Sequence, residues 1–218
     1  MLNIIDLSVR DVLQGLNLAV KPKELVLVVG ANGSGKTTLF NTILGAVKPT
    51  KGKIVVNGKD VTNIPQYKRV YWISSVLQDP RSGSIGKMTI LENMSLAYMR
   101  RGYKRISNKI VNYFKEKLSI LEMGLEYRLS ERVENLSGGQ RQALSLTMSI
   151  ADDCNLLLLD EITSALDPKS SAMVMKITDK IVKYENKTCL LITHDIKHIN
   201  SFNGRIFEMK NGKLVATS

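Results

Sequence analysis

Eight consecutive residues, Gly30-Ala-Asn-Gly-Ser-Gly-Lys-Thr37, carry types and a spacing suited to one task, the holding of phosphate. They fit G-x-x-x-x-G-K-[ST] at every fixed position. Gly30, Gly33 and Gly35 let the backbone turn tightly, so that the N–H groups of the loop through Ala31, Asn32 and Ser34 face an anion. A helix opening at Thr37 and Thr38 would add the partial positive charge of its N-terminus. Lys36 can reach the outer phosphates, and the Thr37 hydroxyl suits Mg²⁺. A nucleoside triphosphate is the ligand these residues imply.

Three further residues bear on the same chemistry. Asp160 ends the apolar run Leu156-Leu-Leu-Leu159, at the carboxyl edge where open α/β sheets place ligands, and its carboxylate suits Mg²⁺. Glu161 follows, placed to orient or deprotonate an attacking water. His194 follows the apolar run Thr188 to Thr193; a second strand of the same sheet there would bring it to the edge that holds Asp160. Leu136-Ser-Gly-Gly-Gln140 is a serine-glycine turn opening a helix. It reads either as a second anion site or as a helix capped by Ser137. It lacks a lysine and a strand of its own, which points to a head-to-tail pair of chains, each closing the other's nucleotide.

The elements that must position these residues follow from periodicity. Leu25–Val29 reads as a buried strand feeding the loop, and Thr38 to Leu44 as a helix closed by Gly45. Ile4–Val9 and Leu16–Val20 alternate apolar and polar residues, with Gln14-Gly15 as the turn between them. Gly52–Gly58 and Arg69–Leu77 are further strand candidates. Helical spacing runs from Ile90 to Tyr98, from Ile106 to Leu121, from Arg141 to Ala151, and from Ser171 to Tyr184 with Ala172, Val174, Ile177 and Ile181 inward. Ile206–Met209 and Lys213–Ala216 flank Asn211-Gly212 as a closing hairpin. The expected fold is α/β, a P-loop nucleotide-binding core with a mostly parallel sheet, an N-terminal antiparallel β part and a helical subdomain. Residues 1–218 form one such domain, with 1–79 and 152–218 as the core and 80–151 as the helical part.

Composition narrows the class without deciding the function. The chain has 218 residues, 44% of them hydrophobic and 23% charged, which suits a globular protein. No apolar run approaches the roughly 20 residues of a membrane-spanning helix, and the N-terminus does not read as a secretory signal. Cys154 and Cys189 are the two cysteines, both in apolar settings that suit buried thiols in a reducing compartment. The net charge of +11 suits anionic partners, a membrane surface or nucleic acid, without choosing between them.

In order and spacing the motifs resemble the nucleotide-binding subunits of ABC transporters, over essentially the whole chain. Gly30–Thr37 matches Walker A, Leu136–Gln140 the family signature, Leu156–Glu161 Walker B with its glutamate, Gln78 the Q-loop, Ser164–Asp167 the D-loop and His194 the switch histidine. The resemblance implies an ABC-type ATPase using ATP and Mg²⁺. It implies a sandwich dimer in which Ser137, Gly138, Gly139, Gln140 and Asp167 line the partner's nucleotide. It also gives Gln78 a contact with Mg²⁺ or water, and His194 one with the γ-phosphate. Glu161, His194, Gln78 and Lys36 would carry catalysis, with Thr37, Gln78 and Asp160 around the metal. His198 reads as structural or surface. The implied partners are a second nucleotide-binding subunit, a membrane permease and, indirectly, an extracytoplasmic substrate-binding protein, with no specific nucleic acid. The implied location is peripheral, at the cytoplasmic face of the cell membrane, with the chain soluble when expressed alone. Residues 78–98, 138–145 and 165–169 look closest to bacterial importers of small organic solutes such as amino acids. The alternative is a soluble ATPase of the same type acting on nucleic acid, ribosomes or cofactor assembly. One departure stands out: the family stacks an N-terminal aromatic ring on adenine, and this chain has none before Phe40. That leaves Val9, Arg10 or Val12 for the base, or a ring from elsewhere such as Tyr67 or Trp72.

Overall fold

The computed structural model describes residues 1–99, 102, 105–151, 154–194 and 204–216. They form two compact units. The first takes Met1–Ser75, Cys154–Glu161 and Asn186–Ser218; the second takes Val76–Asp153 and Ile162–Glu185. Residues 162–185 thus group with the helical part, whereas the sequence-based boundaries place them with the core.

The first unit holds two sheets. One is four-stranded, in the order β2-β1-β4-β5, from β1 (Leu2–Val9), β2 (Leu13–Val20), β4 (Lys51–Val56) and β5 (Lys59–Asp60). Its pairings are antiparallel. Buried residues alternate along β1 and β2, the period of a strand with one face on the core. The turn between them is Arg10–Val12, not Gln14-Gly15, which belong to β2. The register shifts along β1, and Gly15, at φ 60°, sits in that irregularity with its N–H donated to Ser8 Oγ. The glycine marks a bulge.

The second sheet has six strands in the order β10-β9-β3-β8-β7-β6. They are β3 (Leu25–Val29), β6 (Ile73–Val76), β7 (Leu156–Asp160), β8 (Thr188–Thr193), β9 (Arg205–Lys210) and β10 (Lys213–Ala216). β3 pairs in parallel with β8 and β9, and β8 with β7; β10 closes the edge as an antiparallel hairpin. β3 and β8 are buried throughout, as central parallel strands must be. Helix α1 (Lys36–Leu44) follows β3 and ends at Gly45 in the left-handed region.

β6 is shorter than the strand expected over Arg69–Leu77. Arg69 instead ends a short helix, α2 (Gln66–Arg69). Its guanidinium, 2% exposed, donates to the carbonyls of Thr42 and Ile43 at the C-terminal end of α1, and to those of Thr62 and Ile64. A strand there could not send the side chain under α1.

The second unit carries α3 (Ile90–Met99), α4 (Asn108–Ser119), α5 (Gly138–Ile150) and α6 (Pro168–Tyr184). Ile90, Met94, Phe114, Leu118 and Leu144 are buried in it. On α6 the inward stripe includes Val174, Ile177 and Ile181 as expected, but Ser171, Thr178 and Val182 are buried with them and Ala172 faces outward. Both hydroxyls reach backbone carbonyls, Thr163 O and Val174 O, which lets polar side chains sit inside.

Candidate functional site

Phosphate loop, Walker strand and histidine all lie in the first unit, and the sheet order explains why. β3, β7 and β8 are adjacent and parallel, so the residues after their carboxyl ends share one edge. Those residues are Gly30–Thr37, Glu161 and His194, beside Asp160 at the end of β7.

Gly35 precedes α1 with φ 110° and no side-chain cap, and the first turn of α1 contains no acid. The helix N-terminus therefore keeps its donors for an external anion. Lys36 is 5% exposed. Its Nζ donates to Gly30 O at 2.7 Å and Ala31 O at 2.9 Å, so the lysine arches back over its own loop. Burial lowers its pKa, and the carboxylates of Glu161 and Asp160 oppose that. Asp160 is raised above the usual carboxylate range by burial first and the adjacent Glu161 second, with Lys36 pulling the other way. Ser34 Oγ is buried and has no hydrogen-bond partner among the described residues. Ala31, Asn32, Gly33 and Thr37 are exposed.

Glu161 adopts φ 48°, uncommon for a residue with a side chain and frequent at functional positions. Its N–H donates to Ile192 O at 2.8 Å, which ties the turn after β7 to β8. Its Oε1 lies 2.9 Å from His194 Nδ1. The histidine and the glutamate are thus brought together, as their positions after neighbouring strands require. His198 falls outside the described residues.

The remaining motifs stand in the second unit. Ser137 caps α5 through a full capping box: its hydroxyl accepts the Gln140 N–H at 3.2 Å, and Gln140 Oε1 accepts the Ser137 N–H at 3.1 Å. Asp167 caps α6, accepting from the N–H groups of Lys169 and Ser170, with Pro168 in the first turn. Gly139 packs on Ser170, whose Oγ would lie 2.8 Å from any methyl group placed there. Gln78 is exposed.

At the hairpin tip Val9 is 4% exposed and part of the core, so it offers no platform for a base; Val12, 41% exposed, and Arg10 lie at the surface. Trp72 and Tyr67 flank Arg69, which grips the far end of α1, about 12 Å of helix from the phosphate loop. Arg69 itself was invisible to motif reading. A lone arginine among lysines has no spacing signal, and only the fold shows what it holds.

Parallel sheet, phosphate loop and following helix define a P-loop ATPase. The ABC transporter family model matches residues 13–164, and the chain belongs to that family. It is 39% identical to the tyrosine transport ATP-binding protein of Clostridioides difficile (strain R20291), over 94% of this chain and 83% of that one. It spans 37% and 59% of two longer curated relatives. Among solved structures it is similar to the ATP-binding cassette MJ0796, a post-hydrolysis dimer bound to ADP and Pi, with TM-score 0.82, 26% identity and coverage of 100% and 98% of the two chains. It is also similar to cbiO1 of Clostridium perfringens, part of the cbiONQ transporter complex, with TM-score 0.87, 25% identity and coverage of 98% and 86%. The protein is an ATP-hydrolysing, energy-coupling subunit of ABC type.

Proposed function

We propose that this subunit powers uptake of a small organic solute, an amino acid such as tyrosine, through a separate membrane permease. An extracytoplasmic binding protein would deliver the solute. The observation that carries the catalytic part is the grouping at one sheet edge of a buried Lys36, the Asp160–Glu161 pair and a His194–Glu161 contact of 2.9 Å. The solute rests on the likeness to a protein named for tyrosine transport. Among the described residues no helix is long and apolar enough to cross a membrane, which fits a peripheral subunit at the cytoplasmic face.

In this reading ATP lies along Gly30–Thr38, with its outer phosphates drawing Lys36 off the Gly30 and Ala31 carbonyls. The free hydroxyl of Ser34 adds a donor inside the loop. A hydroxyl (Thr37) and a carboxylate (Asp160) are hard oxygen donors, too few for a protein cage and suited to Mg²⁺ that keeps phosphate and water ligands. Bound there, Mg²⁺ would neutralise charge on the phosphates. Glu161 accepts a proton from the attacking water, while His194 holds the carboxylate in place and faces the γ-phosphate. Ser137 to Gln140, with Asp167, close the nucleotide of a second copy, whose own signature helix closes this one. That the cap of α5 is a side-chain box leaves the N–H groups of Gly138 and Gly139 for that phosphate.

The permease contact is assigned to the second unit between Gln78 and Arg105. Ile90 and Met94 are fully buried there, whereas Ile85, Leu96 and Met99 are 40–48% exposed, so the exposed set forms the surface. Arg100, Arg101 and Lys104 lie outside the described residues. The test is uptake of labelled tyrosine by vesicles carrying this subunit together with a candidate amino-acid permease from the same organism. ATP-dependent uptake should need this subunit and vanish with Lys36→Ala. Uptake that ignores tyrosine but responds to another solute would overturn the substrate, and ATP hydrolysis stimulated only by nucleic acid would overturn the transport reading.

A further inference from the structure

The Asn211-Gly212 turn between β9 and β10 reads in sequence as an ordinary hairpin closure. In the fold it is wedged between two other segments of the first unit. The Gly212 N–H donates to Ser34 O at 3.1 Å, inside the phosphate loop, and Gly212 O accepts the Gln14 N–H at 3.2 Å. Any side chain on Gly212 would overlap the Val12 carbonyl oxygen. Met209, at the end of β9, is 1% exposed and reaches both ends of the loop. A methyl group on Gly30 would lie 2.5 Å from its carbonyl oxygen, and one on Gly35 would lie 3.2 Å from its sulfur. The first and sixth residues of the loop therefore lean on one methionine, and the fifth is tied to the turn.

The hairpin is itself fixed to the strand that feeds the loop. β9 pairs with β3 from Val26↔Arg205 to Val29↔Glu208, so the two segments leave the sheet side by side and meet again above it. A loop so rich in glycine has wide conformational freedom. If the ligand had to order it, that cost would come out of affinity; contacts made beforehand remove the cost. The contacts touch the loop that binds phosphate. They do not touch Glu161 or His194, which stand after β7 and β8.

We propose that the β9–β10 turn is a clamp that preorganises the phosphate loop, with Met209 and Gly212 as positioning residues for the triphosphate. This rests on the loop being the nucleotide site. It makes a segment some 180 residues downstream a determinant of ATP affinity.

The test uses the full chain and Mg²⁺-ATP, with Kd from displacement of a fluorescent ATP analogue and KM and kcat from phosphate release. Met209→Ala empties the space beneath Gly35 while keeping the backbone carbonyl that meets Gly30; Met209→Leu refills it; Gly212→Ala drives the turn off Val12 and Ser34. The clamp predicts that Met209→Ala and Gly212→Ala raise Kd and KM about tenfold, a loss of the kind that small misplacements cause. The loss should fall on KM rather than kcat, and Met209→Leu should recover most of it. A lower Tm with Kd and KM within about twofold of the parent, the range left when the loop keeps its shape, would make the hairpin merely structural and overturn the proposal. A fall in kcat at unchanged KM would overturn it too. Should Gly212→Ala not fold, the comparison of Met209→Ala with Met209→Leu decides alone. Failure of the parent chain to bind Mg²⁺-ATP would instead sink the nucleotide site and the clamp together.

Discussion

Asp160 shows how the site stores unfavourable charge. Burial and the adjacent Glu161 hold its pKa above the usual range, against the pull of Lys36. A carboxyl whose folded pKa exceeds its unfolded value stabilises the fold fully only below the unfolded pKa. That contribution is lost as pH rises through the folded value. At neutral pH the ionised Asp160 is therefore a liability that Mg²⁺ and the nucleotide would relieve. Asp160→Asn should raise Tm of the nucleotide-free chain at pH 7.5 by about 2–4 °C, as expected for about 1 kcal/mol in a domain of this size. It should also abolish the Mg²⁺-dependent part of the stabilisation by ATP. A thermal scan of both proteins with ATP, with and without Mg²⁺, checks both halves; a lower Tm without nucleotide would contradict the charge argument. Most of this site was legible beforehand. Gly30–Thr37, Asp160, Glu161 and His194 announce themselves through residue type at the ends of apolar runs. The Glu161–His194 contact follows once their strands are neighbours. Which of Val9 and Val12 is exposed was not legible, because they are the same residue type and only the position of the turn decides which is inside.

At the level of elements, periodicity located β3, α1, β7 and β8 well, because each is buried or amphipathic along its length. It failed where local backbone or side-chain geometry overrides the pattern. Gly15 reads as a turn residue yet occupies a bulge within β2, and the apolar stretch after Arg69 contributes only Ile73–Val76 to the sheet. On α6, Ser171 and Thr178 take core positions by returning hydrogen bonds to backbone. Arg69 is the energetic counterpart of these exceptions. Its guanidinium satisfies four carbonyls, two of them at the C-terminal end of α1, where a cation also complements the helix dipole. Arg69→Ala would strand those carbonyls and open a cavity, and should cost about 3 kcal/mol, the scale of a broken buried charge-assisted network. Urea unfolding of the two proteins measures it; a difference below about 1 kcal/mol would mean that water replaces the guanidinium without loss.

The phosphate loop lies in the first compact unit and the glycine-rich start of α5 in the second. The proposed function makes a pair of chains the reacting species. In the proposed arrangement each copy would supply Lys36, Asp160, Glu161 and His194 to its own nucleotide, and the helix end after Ser137 to its neighbour's. The dimer should therefore form only when ATP bridges the two, and should come apart once the γ-phosphate leaves. Glu161→Gln tests this without disturbing the fold. The amide keeps the size of the side chain and can still meet His194, but it cannot take the proton of the attacking water. The variant should bind ATP and fail to turn it over, the loss expected when a general base is removed being about 10²–10⁴-fold. Because ATP then persists, the bridged state should accumulate. Light scattering should report twice the 24.3 kDa chain mass with Mg²⁺-ATP and the single mass with Mg²⁺-ADP. The parent protein should show the dimer only briefly. Ser137→Arg, placed at the helix end facing the partner, should block dimerisation in the Glu161→Gln background while leaving ATP bound to each monomer. A Glu161→Gln chain that remains monomeric at saturating ATP, or a parent monomer that hydrolyses ATP at full rate when diluted below association, would sink the shared-site arrangement and assign α5 no more than its cap.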